Sequence, residues 1–148
     1  MAYSNALAAY RQTRIKTAGQ GQLIIMLYDG AVKNLDHALE LLNANAGAKR
    51  DLSRIEKISK SVLKAQEIVT ELMVSLDFTQ GGEIAKNLFS LYTWFNKELL
   101  EANMSRDSAR ISAVRQMIYD LRGAWVEVIA KTAADERTAA PAGVSLAG

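Results

Sequence analysis

Residues 23–42 read LIIMLYDGAVKNLDHALELL, and the reading of this stretch decides the architecture. Leu23, Leu27, Ala31, Leu35, Ala38 and Leu42 recur at spacings of three and four, which lines one face of an α-helix. Ile24, Tyr28 and Val32 form a second stripe beside the first, and Ile25 and Met26 widen the apolar arc further. One stripe is enough to bury one helix face. This helix carries more, and the surplus needs a cover.

Outward from that helix, predicted over 20–42, the same periodicity returns three times. Upstream, RIKTAGQGQ (14–22) brings glycines at 19 and 21; downstream, NANAGAK (43–49) is a turn. A second helix is predicted over 51–76, with Leu52, Ile55, Ile58 or Ser59, Val62, Ala65, Val69, Leu72 and Leu76 inward. Lys57, Lys60, Lys64 and Glu67 give it a solvated face, and DFTQGG (77–82) closes it. A third helix over 83–101 aligns Ile84, Leu88, Leu91, Phe95 and Leu99, leaving Phe89, Tyr92 and Trp94 off that line. After ANMSRD (102–107), in which Ser105 is the expected helix cap, a fourth helix over 108–131 aligns Ile111, Val114, Ile118, Leu121, Trp125 and Val128 or Ile129. Long helices joined by short turns lie antiparallel to their sequence neighbours. The expected fold is therefore all-α, an antiparallel up-down-up-down four-helix bundle. Residues 2–10 are expected to add a short N-terminal cap helix with Tyr3, Leu7 and Tyr10 on one side, too short to be stable alone. From Ala134 the text ADERTAAPAGVSLAG holds few large apolar residues, so one domain over 1–133 and a flexible tail over 134–148 are expected.

The totals exclude several kinds of chemistry. A chain of 148 residues is the size of one domain and can bury a core without staples. With no cysteine there is no disulfide, thiolate metal site or cysteine nucleophile, which fits a reducing compartment. The N-terminus lacks the pattern of a signal peptide, and no apolar run approaches the ~20 residues of a membrane span, so a cytoplasmic location without membrane insertion is expected. A di-iron bundle needs Glu-x-x-His pairs, but the only histidine, His37, follows Asn34 at that spacing. No phosphate-binding glycine motif occurs either. No cofactor, metal or catalytic group is expected, and His37 reads as a solvent-side or boundary residue. Asp36 and Glu40 read as carboxylates on a wet helix face. Lys49, Arg50, Arg54, Lys57, Lys60 and Lys64 are interrupted by Asp51, Glu56 and Glu67 and lack interleaved aromatics. With a net charge of only +2, they do not form a nucleic-acid footprint.

What remains is apolar surplus, on the first helix and in the cluster Phe89, Tyr92, Trp94 and Phe95. Soluble monomers rarely leave such patches uncovered. A thicker core under the cap, self-association and a partner chain are all possible covers. A short cap burying two tyrosines and a leucine is displaceable by a longer partner that buries more area, at ~25 cal/mol per Å².

LIIMLYDGA (23–31), KAQEIVTEL (64–72), LDFTQGGEIAKNLFSLY (76–92), LLEAN (99–103) and LRGAW (121–125) carry a more specific signal. In collinear order across residues 3–130, the sequence resembles the flagellar secretion chaperone family. The resemblance implies a cytoplasmic helical bundle that binds the disordered C-terminal segment of newly made flagellin. Such binding prevents premature polymerisation and assists delivery to a gate component of the flagellar type III export apparatus. A co-chaperone or self-association is a further possible partner. The resemblance also implies that the N-terminal segment lies over part of the binding surface and moves aside, Tyr10 being its matching tyrosine. Partner-binding candidates carried over with it are Leu7, Tyr10, Leu23, Ile24, Leu27, Tyr28, Ile84, Leu88, Leu91, Tyr92 and Phe95. Spacing alone does not divide them between groove and core, and for any single one core is the better expectation. The alternative function is a structural or regulatory bundle that homodimerises through its apolar surplus. The sequence departs from the family at one point: relatives commonly open the first long helix with Ser-Pro, where Thr17-Ala18 is here followed by Gly19-Gln20-Gly21. Without that pre-organised start the helix is expected to begin a turn later or to fray.

Overall fold

The computed structural model describes residues 19–44 and 52–147, with side chains described over 20–44 and 52–135. Four helices account for nearly all of them: α1 (Gly19–Ala44), α2 (Leu52–Val74), α3 (Phe78–Ser105) and α4 (Ser108–Ala147). There is no strand among the described residues. α1 packs on α2 and α4, and α3 packs on the same two, so the helices close a ring in the expected up-down-up-down order. The start of α1, the end of α2, the start of α3 and the later turns of α4 therefore share one end of the bundle.

The doubly apolar α1 supplies much of the interior. Leu23, Ile25, Leu27, Tyr28, Ala31, Leu35 and Ala38 are all buried, with Ile24 and Val32 partly so. From α2 come Ile58, Val62, Ala65, Ile68, Val69 and Leu72; from α4, Ile111, Val114 and Ile118. Leu52, assigned by periodicity to the inner stripe of α2, is instead 76% exposed because it opens the helix beyond the end of the packed core. Ion pairs tie α4 to its neighbours. Arg115 grips Asp36 of α1 through two nitrogens at 2.8 and 3.3 Å, Arg122 bonds Asp29 of α1, and Arg110 reaches Glu98 and Glu101 of α3, each at 2.6 Å.

Helix ends depart from the sequence expectation in instructive ways. α1 does not start late: it begins at Gly19, and a Cβ on Gly21 would stand 3.0 Å from Ile129, so the bare backbone lets this end approach α4 closely. Ser105 is not the cap of α4. It closes α3, its hydroxyl donating to the Glu101 carbonyl, and Asp107 takes the cap by accepting from the Arg110 amide at 3.2 Å. Between them Arg106 adopts the left-handed conformation (φ 52°, ψ 47°), and the Asp107 amide closes back on the Ala102 carbonyl at 2.9 Å. The fourth helix runs on to Ala147, past the expected limit at 131. Propensity accounts for the extension through the Ala-rich 132–140 but not past Pro141 and Gly143, and residues 130–135 are exposed.

α3 differs most. The turn DFTQGG does not simply end α2, which stops at Val74. Asp77 accepts from the Thr79 and Gln80 amides at 3.0 Å and caps a helical turn beginning at Phe78. The chain then bends sharply at Gly82 (φ 50°, ψ −124°), a backbone region open essentially to glycine alone. Beyond the bend the inward line is Ala85, Tyr92, Phe95, Leu99 and Ala102, not the line through Ile84 and Leu91. Tyr92 moves to the interior because its hydroxyl finds partners there.

Candidate functional site

At the end of the bundle where these termini meet, the helices do not close over their own apolar surface. A groove of about 690 Å³ opens there. Leu72, Leu76 and Asp77 border it from the end of α2, and Gln80, Gly81, Ile84, Ala85, Leu88 and Tyr92 from the start of α3. Trp125, Val128 and Thr132 of α4 form the opposite wall, with Ile24 of α1 between them. Leu72, Ala85 and Tyr92 are buried in the floor. Ile84 and Val128, on facing walls, are 69% and 54% exposed. Two branched aliphatic side chains are thus left mostly in water at the trough.

A polar triad lies beneath this apolar lining. Trp125 Nε1 donates to the Tyr28 hydroxyl at 2.9 Å, and that hydroxyl bonds the Tyr92 hydroxyl at 2.5 Å. Tyr28 is fully enclosed and Tyr92 nearly so, and burial pushes both phenols above their ordinary pKa. They stay neutral at physiological pH and act as hydrogen-bonding struts, which ties α1, α3 and α4 together under the groove. The arrangement holds a shape. It offers no charged or nucleophilic group for chemistry.

The candidates named from sequence divide clearly. Ile24, Ile84, Leu88 and Tyr92 line the groove together. Leu23, Leu27, Tyr28 and Phe95 are buried in the core, and Leu91 is partly buried against it. Leu7 and Tyr10 lie outside the described residues. Leu72, Leu76, Trp125 and Val128 line the groove without having been singled out, since periodicity assigned each to a buried stripe. The signal that marks them is position: Leu72 and Leu76 fall at and just past the end of α2, and Trp125 and Val128 on the stretch of α4 level with it.

Elsewhere the surface also exposes single large apolar side chains, among them Leu52, Leu63, Val74 and Met104. His37 is exposed, 3.9 Å from Glu40, and Asp36 is engaged by Arg115. A wider cleft along α1 and α4 is lined by Asp29, Lys33, Asp36, Glu40, Tyr119 and Arg122 among others, with Arg115 lying 5.0 Å over the Tyr119 ring. Its charges largely neutralise one another. No group of three or more His, Cys, Asp or Glu residues able to hold a metal occurs among the described residues, and no helix there is long and apolar enough to cross a membrane.

Fold and groove together define a four-helix bundle with a mainly apolar trough at one end. Comparison with known proteins narrows that class. The model of the family described as Flagellar protein FliS matches residues 3–132, and the chain belongs to that family. It is 33% identical over 139 residues to the flagellar secretion chaperone FliS of Salmonella typhimurium, covering 90% of this chain and 96% of that one. The flagellar secretion chaperone FliS of Bacillus subtilis is 28% identical over 129 residues, 87% of this chain and 90% of that one. The protein of the same name from Campylobacter jejuni is 32% identical over 123 residues, 83% and 90% of the two chains. This is a chaperone family of flagellum biogenesis, and the chain is not an enzyme.

Proposed function

We propose that this chain is a cytoplasmic export chaperone for flagellin, and that the groove at the tapered end of the bundle holds part of flagellin's C-terminal segment. The observation that carries the proposal is the pair of exposed aliphatic side chains, Ile84 and Val128, in a mainly apolar trough rimmed by Ser75, Asp77, Gln80 and Thr132. An amphipathic segment laid between them buries its apolar face against both walls and the floor, which is the geometry of helix-in-groove recognition. A subunit of a helical polymer has apolar ends that stay adhesive until assembly, and covering them stoichiometrically needs no ATP. A disordered segment loses conformational freedom when it orders on the groove, so an extensive contact can still release its client. Release is what delivery to the export gate requires.

The N-terminal residues belong to the same proposal. α1 begins at Gly19, at the groove's own end, with Ile24 already in the lining. Leu7 and Tyr10 are the side chains to cover the groove when no client is present, and to leave when one arrives. Isothermal titration against flagellin, and against flagellin lacking its C-terminal segment, tests the reading. A one-to-one complex that disappears with the truncation is expected; undiminished heat from truncated flagellin overturns it. Sedimentation over a concentration series separates the self-association reading, which requires a dimer that persists when flagellin is added.

A further inference from the structure

The turn that borders the groove is joined to the bundle by a single unusual residue. Phe78 to Gly81 form a capped helical turn, with the Asp77 carboxylate on the Thr79 and Gln80 amides and the Gly81 amide on the Asp77 carbonyl at 2.7 Å. Gly82 then breaks the helix with φ 50° and ψ −124°, and a Cβ built there meets nothing within 4 Å. The glycine is therefore required by its backbone angles and not by lack of space. At the far end of the turn the Phe78 ring stands edge-on to Phe89, with centroids 5.9 Å apart. That contact reports the bend directly. In an unbroken helix, residues 78 and 89 would be separated by ~16 Å along the axis, beyond the reach of the two rings.

The sequence is equally compatible with the unbroken form. Seven-residue steps return to nearly the same helix face, so straightening at Gly82 would put Phe78 in line with Ala85 and Tyr92, one turn beyond the present end of the groove wall. The bent form leaves Phe78 perched on the outer surface, about half exposed, and Ile84 open to water. An edge-on aromatic pair is a weak latch. The two forms differ in one backbone hinge, one weak contact and the length of the apolar wall.

We propose that residues 77–82 are a strap hinged at Gly82: bent and latched on Phe89 in the free protein, straightened when a client fills the groove, so that Phe78 extends the wall over it. This deepens the function proposed above and rests on it, since the client supplies the apolar surface that draws Phe78 from its perch. A ligand shifts such an equilibrium only by contacting one form better than the other, and the lengthened wall provides that difference.

The cysteine-free chain makes the test direct. Spin labels on Thr79→Cys and Lys97→Cys, both exposed positions, measure the strap against the body of α3. An unbroken helix sets their backbone separation at ~27 Å, and the bend shortens it. The free protein should give the short distance, and Gly82→Ala, which disfavours positive φ, should lengthen it. Phe78→Ala, which removes the latch, should broaden the distribution toward the long form and covers the case in which Gly82→Ala fails to fold. If neither variant moves the distance, the hinge is refuted. Saturation with the flagellin C-terminal segment should lengthen it in the otherwise wild-type chain, and Gly82→Ala should bind that segment ~3–10-fold more tightly because straightening is already done. Trp125 fluorescence in a Trp94→Phe background reports separately whether the groove has filled. A filled groove with an unmoved label distance overturns the strap and leaves the groove intact. An unfilled groove at saturating segment overturns the function proposed above and, with it, the strap's coupling to a client.

Discussion

Replacing Ile84 by Ala should weaken client binding substantially while leaving the free protein's stability nearly unchanged. Ile84 is 69% exposed, so most of its side chain is available to be buried by a partner and little of it supports the fold. Complete burial of such a side chain contributes about 1.5–3 kcal/mol, and the exposed share corresponds to about 1–2 kcal/mol, or roughly a 5- to 30-fold rise in Kd. The change in unfolding free energy should stay within about 0.5 kcal/mol, the usual range for a surface substitution that touches no special feature. Met104→Ala is the matched control: Met104 is 74% exposed on the same helix, but twenty residues away, ~30 Å along the axis. Titration calorimetry with the flagellin C-terminal segment gives the affinities, and urea unfolding gives the stabilities. Equal losses of affinity in the two variants would mean that the contact is general stickiness along α3. No loss in Ile84→Ala would remove the groove from the interface altogether.

Arg106→Gly should stabilise the bundle by about 0.5–1 kcal/mol, since a side chain in the left-handed region is strained and glycine is not; a thermal melt should shift upward by roughly 2–4 °C. Because burial raises the Tyr28 and Tyr92 pKa values in the folded state, their contribution to stability is complete below the unfolded phenol value of 10.0 and declines as pH rises above it toward the folded values. Tyrosinate absorbance should accordingly show these two phenols titrating only as helicity is lost, and normal titration of all five tyrosines in the folded protein would contradict the buried triad. Deletion of 134–148 should leave the melting temperature nearly unchanged, and a marked drop would place those residues in the packed domain. Truncation of residues 1–10 should leave flagellin affinity level or raise it, and a large loss would place Leu7 and Tyr10 in the contact itself.

Bundle and groove were not equally legible in the sequence, and the reason is physical. Period alone identifies which side of a helix is apolar, so four helices, their order and most of the interior of α1, α2 and α4 follow from spacings of three and four. It fails where a side chain is buried for a reason other than hydrophobicity. Tyr92 reads as off-line by period but is interior because the Tyr28 hydroxyl bonds it, while Leu91 and Ile84 are displaced outward. A backbone break defeats periodicity too. The inward line of α3 cannot be extrapolated through Gly82, whose positive φ is invisible to a count of apolar residues.

The groove lies beside that same break. Periodicity placed Leu72, Trp125 and Val128 or Ile129 in buried stripes; at this end Leu72 is buried, Trp125 is partly buried against the core and Val128 is open to water. α3 bends at Gly82, and beside that bend the apolar side chains that the four helices bring to this end line a trough. An apolar surplus in a sequence is thus ambiguous between core and interface because both are made by the same residues on the same faces. The ambiguity is resolved by where a neighbouring helix stops. Here the candidates named from the sequence that meet at the trough are Ile24, Ile84 and Leu88 along its sides and Tyr92 in its buried floor.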